Sequence, residues 1–531
     1  MPITISDNIL DKSSLFELLS KRFCESDKKL SQIPHPSLLQ DATKSAKKIA
    51  QTIKENKKIT LVGDYDVDGV VSTAIMVDFF RQIPYPLETI IPNRFKDGYG
   101  VSPSILQRVD TDLIITVDNG ISAIEASKIC KQRGIDLIIT DHHTPSDNLP
   151  DAYSIVDPKL STCEYPFKEI CGAQVAWLLL ALLKKELELT IDMKTFLDML
   201  AIAVIADIMP LVDINRTLVK EGLKLLMHSS RPASIIIRDF LNKSSITAED
   251  IAFQIAPRIN SAGRLKDANI ALDFFTANST NDAYKLFERL TSLNQERKDI
   301  EAQITAEAIN LANKNDSIIV VAKKDWNEGV VGIVAARLVE KFAKPAIVLS
   351  IHGDTAKGSA RSIGDVNIYE LIKENENHLH KFGGHKMAAG LGLDAKDIKE
   401  FTDAINISAS KIPREKFIPK DDVTGIFACD EIDMQLLDLF DRFEPFGEAN
   451  HRPKFLIKDA QVVSIKTFGV DKSHSKITLR QFSHDRKTIE LIAFRQVLEM
   501  PKDKKMSCSY TITKNEYNSR ISVQLLINKI Y

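Results

Sequence analysis

No stretch of this chain approaches the ~20 consecutive apolar residues that a membrane-spanning helix requires, so no membrane is expected as a partner. Its first residues, MPITISDNILDKSS, carry an acid where a secretory signal would carry a basic region and then a long apolar one. Both absences point to the cytoplasm. Cysteine is scarce, six in 531 residues, and Cys24, Cys130, Cys163, Cys171, Cys429 and Cys508 are scattered without the paired spacing of a zinc site. Reduced, mostly buried thiols are expected. There is no internal repeat and no low-complexity tract, and a hydrophobic fraction of 44% is ample for folded cores.

Net charge is nearly absent as well, at −2 for the whole chain, but it is unevenly distributed. Residues 451–531 hold 16 Lys and Arg against 7 Asp and Glu, a net of +9, which leaves 54 against 65, or −11, for residues 1–450. Lys and Arg release condensed counterions from nucleic acid, so a polyanion-binding surface is one explanation of the basic C-terminal segment. A solvated surface is the other. Period-two runs in the same segment (AQVVSI, SKITLRQF, TIELIAF, SCSYTIT, ISVQLLI) predict a small all-β unit, with Phe468, Phe482 and Phe494 within or beside them. That pattern suits an OB-type barrel with a basic face able to stack bases.

Further organisation follows from periodicity. Residues 1–45 read as a polar lead-in with one amphipathic helix, and from Lys57 to about Asp207 strands alternate with helices, predicting a parallel, doubly wound sheet. The segment Asp282–Lys314 lacks Pro and Gly and spaces Leu286, Leu290, Leu293 and Ile300 helically. One helix of that length spans ~50 Å, enough to bridge two lobes. A second lobe follows to about Lys411 as strand, helix and strand with Gly-rich turns.

Three strand-like runs in the first half end in acids or imidazoles: KKITLVGDYDVDG, TDLIITVDNG and IDLIITDHH. Parallel strands present their C-terminal ends to one crevice, so Asp64, Asp66, Asp68, Asp118, Asp141, His142 and His143 should converge. Any one of these acids alone could be a helix N-cap. Together they would repel one another without cations, and carboxylates joined by imidazole suit Mn²⁺, with Mg²⁺ also possible. The chemistry such a cluster supports is metal-assisted hydrolysis of a phosphodiester.

The order DYDVDG, VDNG, DHH and AVIADIMPL (Ala203–Leu211) resembles the signature of the DHH phosphoesterase superfamily. APRINSAGR, LNQERKDIE, WNEGVVGIVAARL, KGSARSIG and FGGHKMAAGLGL then make residues 59–453 similar to the RecJ family of single-strand-specific 5′→3′ DNA exonucleases. The chain departs from that family's pattern at Asn327, Glu328 and Gly329 and at PFGEANHRP, neither of which is a metal position.

The resemblance implies a parallel-sheet DHH catalytic domain over 46–280, a connecting helix over 281–314, a DHH-associated α/β domain over 315–415 and an OB-type domain with its linker over 416–531. It implies two divalent ions, Mn²⁺ or Mg²⁺, with Asp118 bridging, Asp64 and Asp66 on one ion, and Asp68, His142 and Asp207 on the other. His143 would touch the phosphate in the transition state, or else only bond within its loop. Asp141 could orient one of the imidazoles. Arg258 and Asn260 would contact phosphate oxygens beside the metals, Gly383, Gly384 and His385 the strand, and Arg94, Ser359 and Arg361 the 5′-end phosphate. The implied partner is single-stranded DNA, with a single-strand-binding protein and a RecQ-type helicase as candidate protein partners of a monomer. The alternatives are a DHH phosphodiesterase acting on short oligonucleotides or cyclic dinucleotides, and a non-catalytic replication scaffold.

Overall fold

The computed structural model describes residues 9–23, 28–419, 421–469, 472–481, 488–517 and 520–531. Five short β-branched runs form its first sheet, and all but the edge run at Glu88–Ile90 are largely buried. They are β2 (Ile59–Val62), β3 (Glu88–Ile90), β4 (Leu113–Val117), β5 (Asp136–Thr140) and β6 (Ser154–Val156), all parallel in the order β3-β2-β4-β5-β6. The chain runs outward from β2 to β3 and then crosses back to β4 on the other side. The two central strands therefore diverge into helices on opposite faces, which opens a crevice at their C-terminal ends. Helices Val67–Phe80 and Leu197–Ala206 are apolar almost all round because they lie inside this lobe, packed on one another and on Gly172–Glu186.

Helix Thr280–Leu311 has 32 residues and starts at Ser279, whose side chain accepts from the Asp282 N–H. Phe287, Leu290 and Leu293 bury in the first core, whereas Ile304 and Ala308 bury in the second lobe's. At about 1.5 Å per residue it is a strut of roughly 48 Å joining them. The second lobe is a mixed sheet of β7 (Ile319–Lys324), β8 (Ala346–His352), β9 (Thr355–Arg361), β10 (Lys381–His385) and β11 (Ala388–Asp394) in the order β10-β11-β9-β8-β7.

The period-two runs form a closed barrel of β13 (Lys454–Phe468), β14 (His474–Arg480), β15 (Ile489–Ala493), β16 (Lys505–Tyr517) and β17 (Arg520–Ile530), ordered β13-β14-β15-β17-β16. Alternate residues such as Ile477, Leu479, Leu491, Cys508, Tyr510 and Ile512 fill its core. Phe468 and Phe494 are on its surface, and Phe482 lies outside the described residues. The five described cysteines are free and buried. Among the described residues no helix is long and apolar enough to cross a membrane.

The reading of residues 1–45 as a lead-in is corrected. Strand β1 (Ile9–Leu10) pairs in parallel with β12 (Ile426–Phe427), and Leu15 and Leu19 from helix Lys12–Phe23 are fully buried among Phe427, Leu436 and Phe440. This start of the chain belongs to the C-terminal unit. Locally its amphipathic helix shows no partner, because that partner lies more than 400 residues away in the sequence.

The C-terminal unit is in turn fastened to the catalytic lobe. Arg216, only 1% exposed, donates to the Phe443 carbonyl at 2.9 Å and the Pro445 carbonyl at 3.3 Å, and the Leu211 N–H donates to the Glu448 carbonyl at 2.7 Å. Replacing Arg216 by Ala takes a donor from two buried carbonyls; Pro445 keeps Asn450 Nδ2 at 2.7 Å, so the cost of about 1–3 kcal/mol falls on Phe443. The urea midpoint of unfolding should drop accordingly. An unchanged midpoint would show that the Phe443 carbonyl finds another donor.

Candidate metal centre and end-binding cleft

The crevice between β2 and β4 is built by the residues that follow them. Asn119, fully buried, donates from Nδ2 to the Val62 carbonyl at 3.0 Å and the Val117 carbonyl at 2.9 Å, so one amide ties the ends of both strands together. Asp118, just before it, adopts φ +63, a left-handed conformation uncommon outside Gly and short polar residues. Its side chain faces Gly172, where a Cβ would come within 2.6 Å of Asp118 Cβ and Oδ1. Only glycine lets that helix start so close to the carboxylate.

The other acids arrive on helix termini. Asp66 caps helix Val67–Phe80, its Oδ1 accepting from the Gly69 N–H at 3.1 Å. Asp68 accepts from the N–H groups of Gly172 and Ala173 at 2.6 and 2.9 Å. Asp207 is the C-cap of Leu197–Ala206. Capping and clustering are thus not alternatives here, because the caps place the carboxylates.

Three ligand sets converge: Asp64, Asp66 and Asp118; Asp68, His142 and Asp207; and Asp118, His142 and His143, each with donor atoms within 4.8 Å of one another. His142 Nε2 lies 3.1 Å from Asp118 Oδ1, 3.6 Å from Asp207 Oδ2 and 3.7 Å from Asp68 Oδ2. Asp64 Oδ1, Asp118 Oδ1, Asp207 Oδ2 and both ring nitrogens of His142 are buried without a hydrogen-bond partner. Orphaned buried acceptors converging in this way fit divalent cations.

Electrostatics agree. Burial, then neighbouring carboxylates, push Asp64 and Asp118 well above the usual carboxylate range and Asp207 up to about 9, while burial lowers His142. A bound cation would reverse the carboxyl shifts and lower His142 further, leaving its ring neutral as a ligand must be.

Asp141 plays a different part. Its Oδ1 accepts from the His142 and His143 N–H groups at 2.7 and 3.1 Å and pairs with His143 Nδ1 at 2.7 Å, and its Oδ2 accepts from the Ile121 N–H at 2.9 Å. It therefore orients His143. Burial would lower His143, but the hydrogen bond and charge of Asp141 prevail and raise it to about 9. The pairing with Asp141 favours the protonated ring at the edge of the metal cluster.

A cleft of about 700 Å³ opens beside the cluster, lined by Arg94, Tyr99, Arg264, Gly332, Ser359, Arg361 and Gly383. Arg94 lies 4.2 Å over the Tyr65 ring with a buried, unpartnered Nε, and Arg361 donates to Ser359 Oγ at 2.9 Å. Arg264 is lowered to about 10 by burial and then by Arg94 and Arg297, with Arg361 adding to the effect. Among the described residues no carboxylate lies within ion-pair distance of Arg94, Arg264 or Arg361. Three crowded, unneutralised guanidinium groups call for an anion. Gly332 keeps the cleft open, since a Cβ there would meet Arg361 Nη2 and Ser359 Oγ at 3.0 Å.

Some expected contacts lie elsewhere. Arg258 stacks on Phe240 at 4.3 Å, donates to Thr291 Oγ1 at 3.3 Å and to the Gln254 carbonyl, and so turns away from the carboxylates. Arg264, six residues on and about 120° round the same helix, faces the cleft instead. That helical offset within APRINSAGR is the available signal for it. Asn260 remains at the site, its Oδ1 accepting from the Val67 N–H at 3.2 Å. Gly383 lines the cleft, but neither Gly384, a strand residue at φ +145, nor the exposed His385 lines it.

A parallel sheet with a switch-point carboxylate and histidine cluster, a strut and a second mixed lobe define a metal-dependent DHH phosphoesterase. The DHH family, N-terminal domain, matches residues 58–204, the DHHA1 domain 315–411 and the RecJ OB domain 424–529. The single-stranded-DNA-specific exonuclease RecJ of Bacillus subtilis is 35% identical across 93% of this chain, which spans 63% of that protein's length. The Haemophilus influenzae protein of the same name is 30% identical across 95% of this chain and 93% of its own. The crystal structure of RecJ with Mn²⁺ from Thermus thermophilus superimposes with a TM-score of 0.82 at 27% identity, covering 98% of this chain and 76% of that one. A Mg²⁺ complex of RecJ from the same organism gives 0.74 at 26% identity, covering 94% and 71%. The chain belongs to the RecJ family, and its cofactors are divalent ions, Mn²⁺ or Mg²⁺.

Without metal, the raised carboxyls hold protons when folded that they release when unfolded, between their ordinary 3.8 and, for Asp207, about 9. The site's contribution to stability therefore falls as pH rises through that window, and a bound cation displaces those protons. The gain in melting temperature on adding Mn²⁺ should be larger near pH ~8.5 than near pH ~6.5. Equal gains in paired thermal scans would exclude proton-linked binding.

Proposed function

We propose that this chain is a single-stranded-DNA-specific 5′→3′ exonuclease that releases 5′-mononucleotides during DNA repair and recombination. The observation that carries this reading is the position of the Arg94, Arg264 and Arg361 cleft directly beside the carboxylate and histidine cluster. A strand whose terminal phosphate fills the cleft has its first internucleotide phosphate at the cluster, which ties cleavage to an end.

Two bound ions supply an activated water and neutralise charge on the phosphate. Asp64 and Asp66 would hold one, Asp68, His142 and Asp207 the other, and Asp118 would be shared by both. The His143 imidazolium, oriented by Asp141, donates to the phosphate as its charge grows. Arg264 joins Arg94, Ser359 and Arg361 in gripping the end, and Asn260 fixes the start of the helix that Asp66 caps. The domain division over 46–280, 281–314, 315–415 and 416–531 belongs to the same reading, with the barrel binding the strand downstream. So do a cytoplasmic monomer and cooperation with a single-strand-binding protein and a RecQ-type helicase.

End-labelled single strands, duplexes and dinucleotides digested in Mn²⁺ or Mg²⁺ test this directly. Mononucleotide should leave first from a 5′ label on single strands, and a first release from the 3′ label would overturn the polarity. Asp118→Ala should lower turnover by more than the roughly 10–100-fold that losing an outer-sphere partner costs. Near wild-type turnover in saturating Mn²⁺ would sink the bridging assignment.

Arg361→Ala removes a charged donor worth about 1.5–3 kcal/mol to the terminal phosphate. The loss in kcat/KM should be about ten- to a hundredfold on 5′-phosphorylated strands and much smaller on 5′-hydroxyl strands. Equal losses on the two would remove Arg361 from the pocket.

A further inference from the structure

The end-binding cleft runs on past the groups that grip a terminal phosphate. At about 700 Å³ it has the size of a site for a whole small ligand, and its lining continues from Arg361 and Ser359 to Lys357 and Lys381. This outer part is floored by the second-lobe sheet. Helix Val331–Phe342 packs on β8 and β9, and beyond it the same face of the sheet stays open.

Strand register shows how that floor is built. Side chains alternate along a strand, so Arg361, Ser359 and Lys357 of β9 share the open face while Ala356 and Ala360 enter the lobe's core. On β11 the open-face positions are Gly390 and Gly392, with Ala389, Leu391 and Leu393 in the core. Gly390 pairs with Ser359 on one side and Gly383 on the other, and Gly392 pairs with Lys357 and Lys381. The face therefore carries one row of Ser359 with two glycines, and a second row in which two lysines flank a glycine. The rows are two residues apart, about 6.8 Å at 3.4 Å per residue. Between them the floor is bare: a Cβ at Gly383 would meet nothing within 4 Å, and one at Gly390 only the Gly358 carbonyl at 3.9 Å. Glycines within strands mark places where a ligand or another backbone comes close.

We propose that Lys357 and Lys381 form a second anion subsite, outward of the terminal-phosphate grip, which accepts further phosphates carried on the 5′ end, so that 5′-triphosphorylated strands are also substrates. This rests on the exonuclease reading of the same cleft. A single phosphate held by Arg94, Arg264 and Arg361 stops short of the lysine row, whereas two more anhydride-linked phosphates span a gap of that order. Charge favours them too, because Glu328 is the one carboxylate among the described residues lining the cleft. Its Oε2 lies 3.2 Å from Lys357 Nζ and its Oε1 3.6 Å from His352 Nε2. The Lys357 side chain is 54% exposed, so this pair is weak and a phosphate can take the ammonium while Glu328 keeps His352. The chemical step is unchanged. Water adds to the first internucleotide phosphorus, the 3′ oxygen of the first nucleotide leaves and takes up a proton, and the anhydride bonds stay intact, so the product is a nucleoside triphosphate.

The test uses the full chain in Mn²⁺ on single-stranded oligothymidylate bearing a 5′-monophosphate or a 5′-triphosphate, with the first product identified by mass. The wild type should digest the triphosphorylated strand with a kcat/KM at least equal to that on the monophosphorylated one, releasing thymidine triphosphate. Replacing Lys357 and Lys381 together by Ala should lower kcat/KM on the triphosphorylated strand about tenfold, the value of one charged hydrogen bond, and much less on the monophosphorylated strand. Both side chains are exposed, so their loss leaves the core intact. That loss should shrink at high salt, as contacts between exposed charges do. A triphosphorylated strand digested tenfold or more slowly than its monophosphorylated counterpart by the wild type would overturn the subsite. So would equal losses on the two strands in the double variant, no loss on either, or release of pyrophosphate as the first product. If the wild type digests neither strand, the exonuclease reading falls and the subsite falls with it; if it digests only the monophosphorylated strand, the subsite alone is lost.

Discussion

Mutual repulsion among buried carboxylates governs the centre of this molecule. Asp64, Asp66, Asp68, Asp118 and Asp207 crowd together with His142 in a place where burial alone disfavours charge, so either protons or cations must neutralise them. The surroundings are organised to present this conflict. The strand order opens the crevice, Asn119 ties the two strand ends across it, and helix termini deliver three of the acids. An imidazolium on one side and three guanidinium groups on another then add positive charge where an anionic substrate would lie.

The metal-facing half of this design is legible in the sequence because it is local. Each acid follows a β-branched run or sits in a short motif, and strand polarity sends every run to the same edge. The cationic half is less legible, because it depends on which way a helix is turned. Arg258 and Arg264 share one motif and look alike as letters, yet one stacks on Phe240 and the other reaches the cleft. His385 departs from its expected place for a similar reason: a hairpin register decides which of three adjacent residues faces inward, and only Gly383 does.

Non-local partners are invisible from the letters alone. The strut can be read from the absence of Pro and Gly, but not that its two halves enter different cores. The alternation of the barrel strands is plain, yet nothing in residues 9–23 announces that they complete the barrel's flank. For the same reason the +9 segment after residue 450 is not a detachable module. A cut there would remove the barrel strands that share one core with Phe427 and Phe440, taking away Phe455, whose ring lies 4.9 Å from that of Phe427.

That early segment has a consequence for biosynthesis. Strand β1 and the buried leucines behind it are made first, but their partners around Phe427 and Phe440 follow roughly 420 residues later. At about 5–20 residues per second, the ribosome keeps them waiting for roughly 20–80 s. Throughout that interval the nascent chain carries an unpaired strand edge and an apolar helix face beside a catalytic lobe that already has everything it needs to fold. Assembly of this unit therefore joins segments more than 400 residues apart, a closure whose entropy cost rises only slowly with the length of the loop.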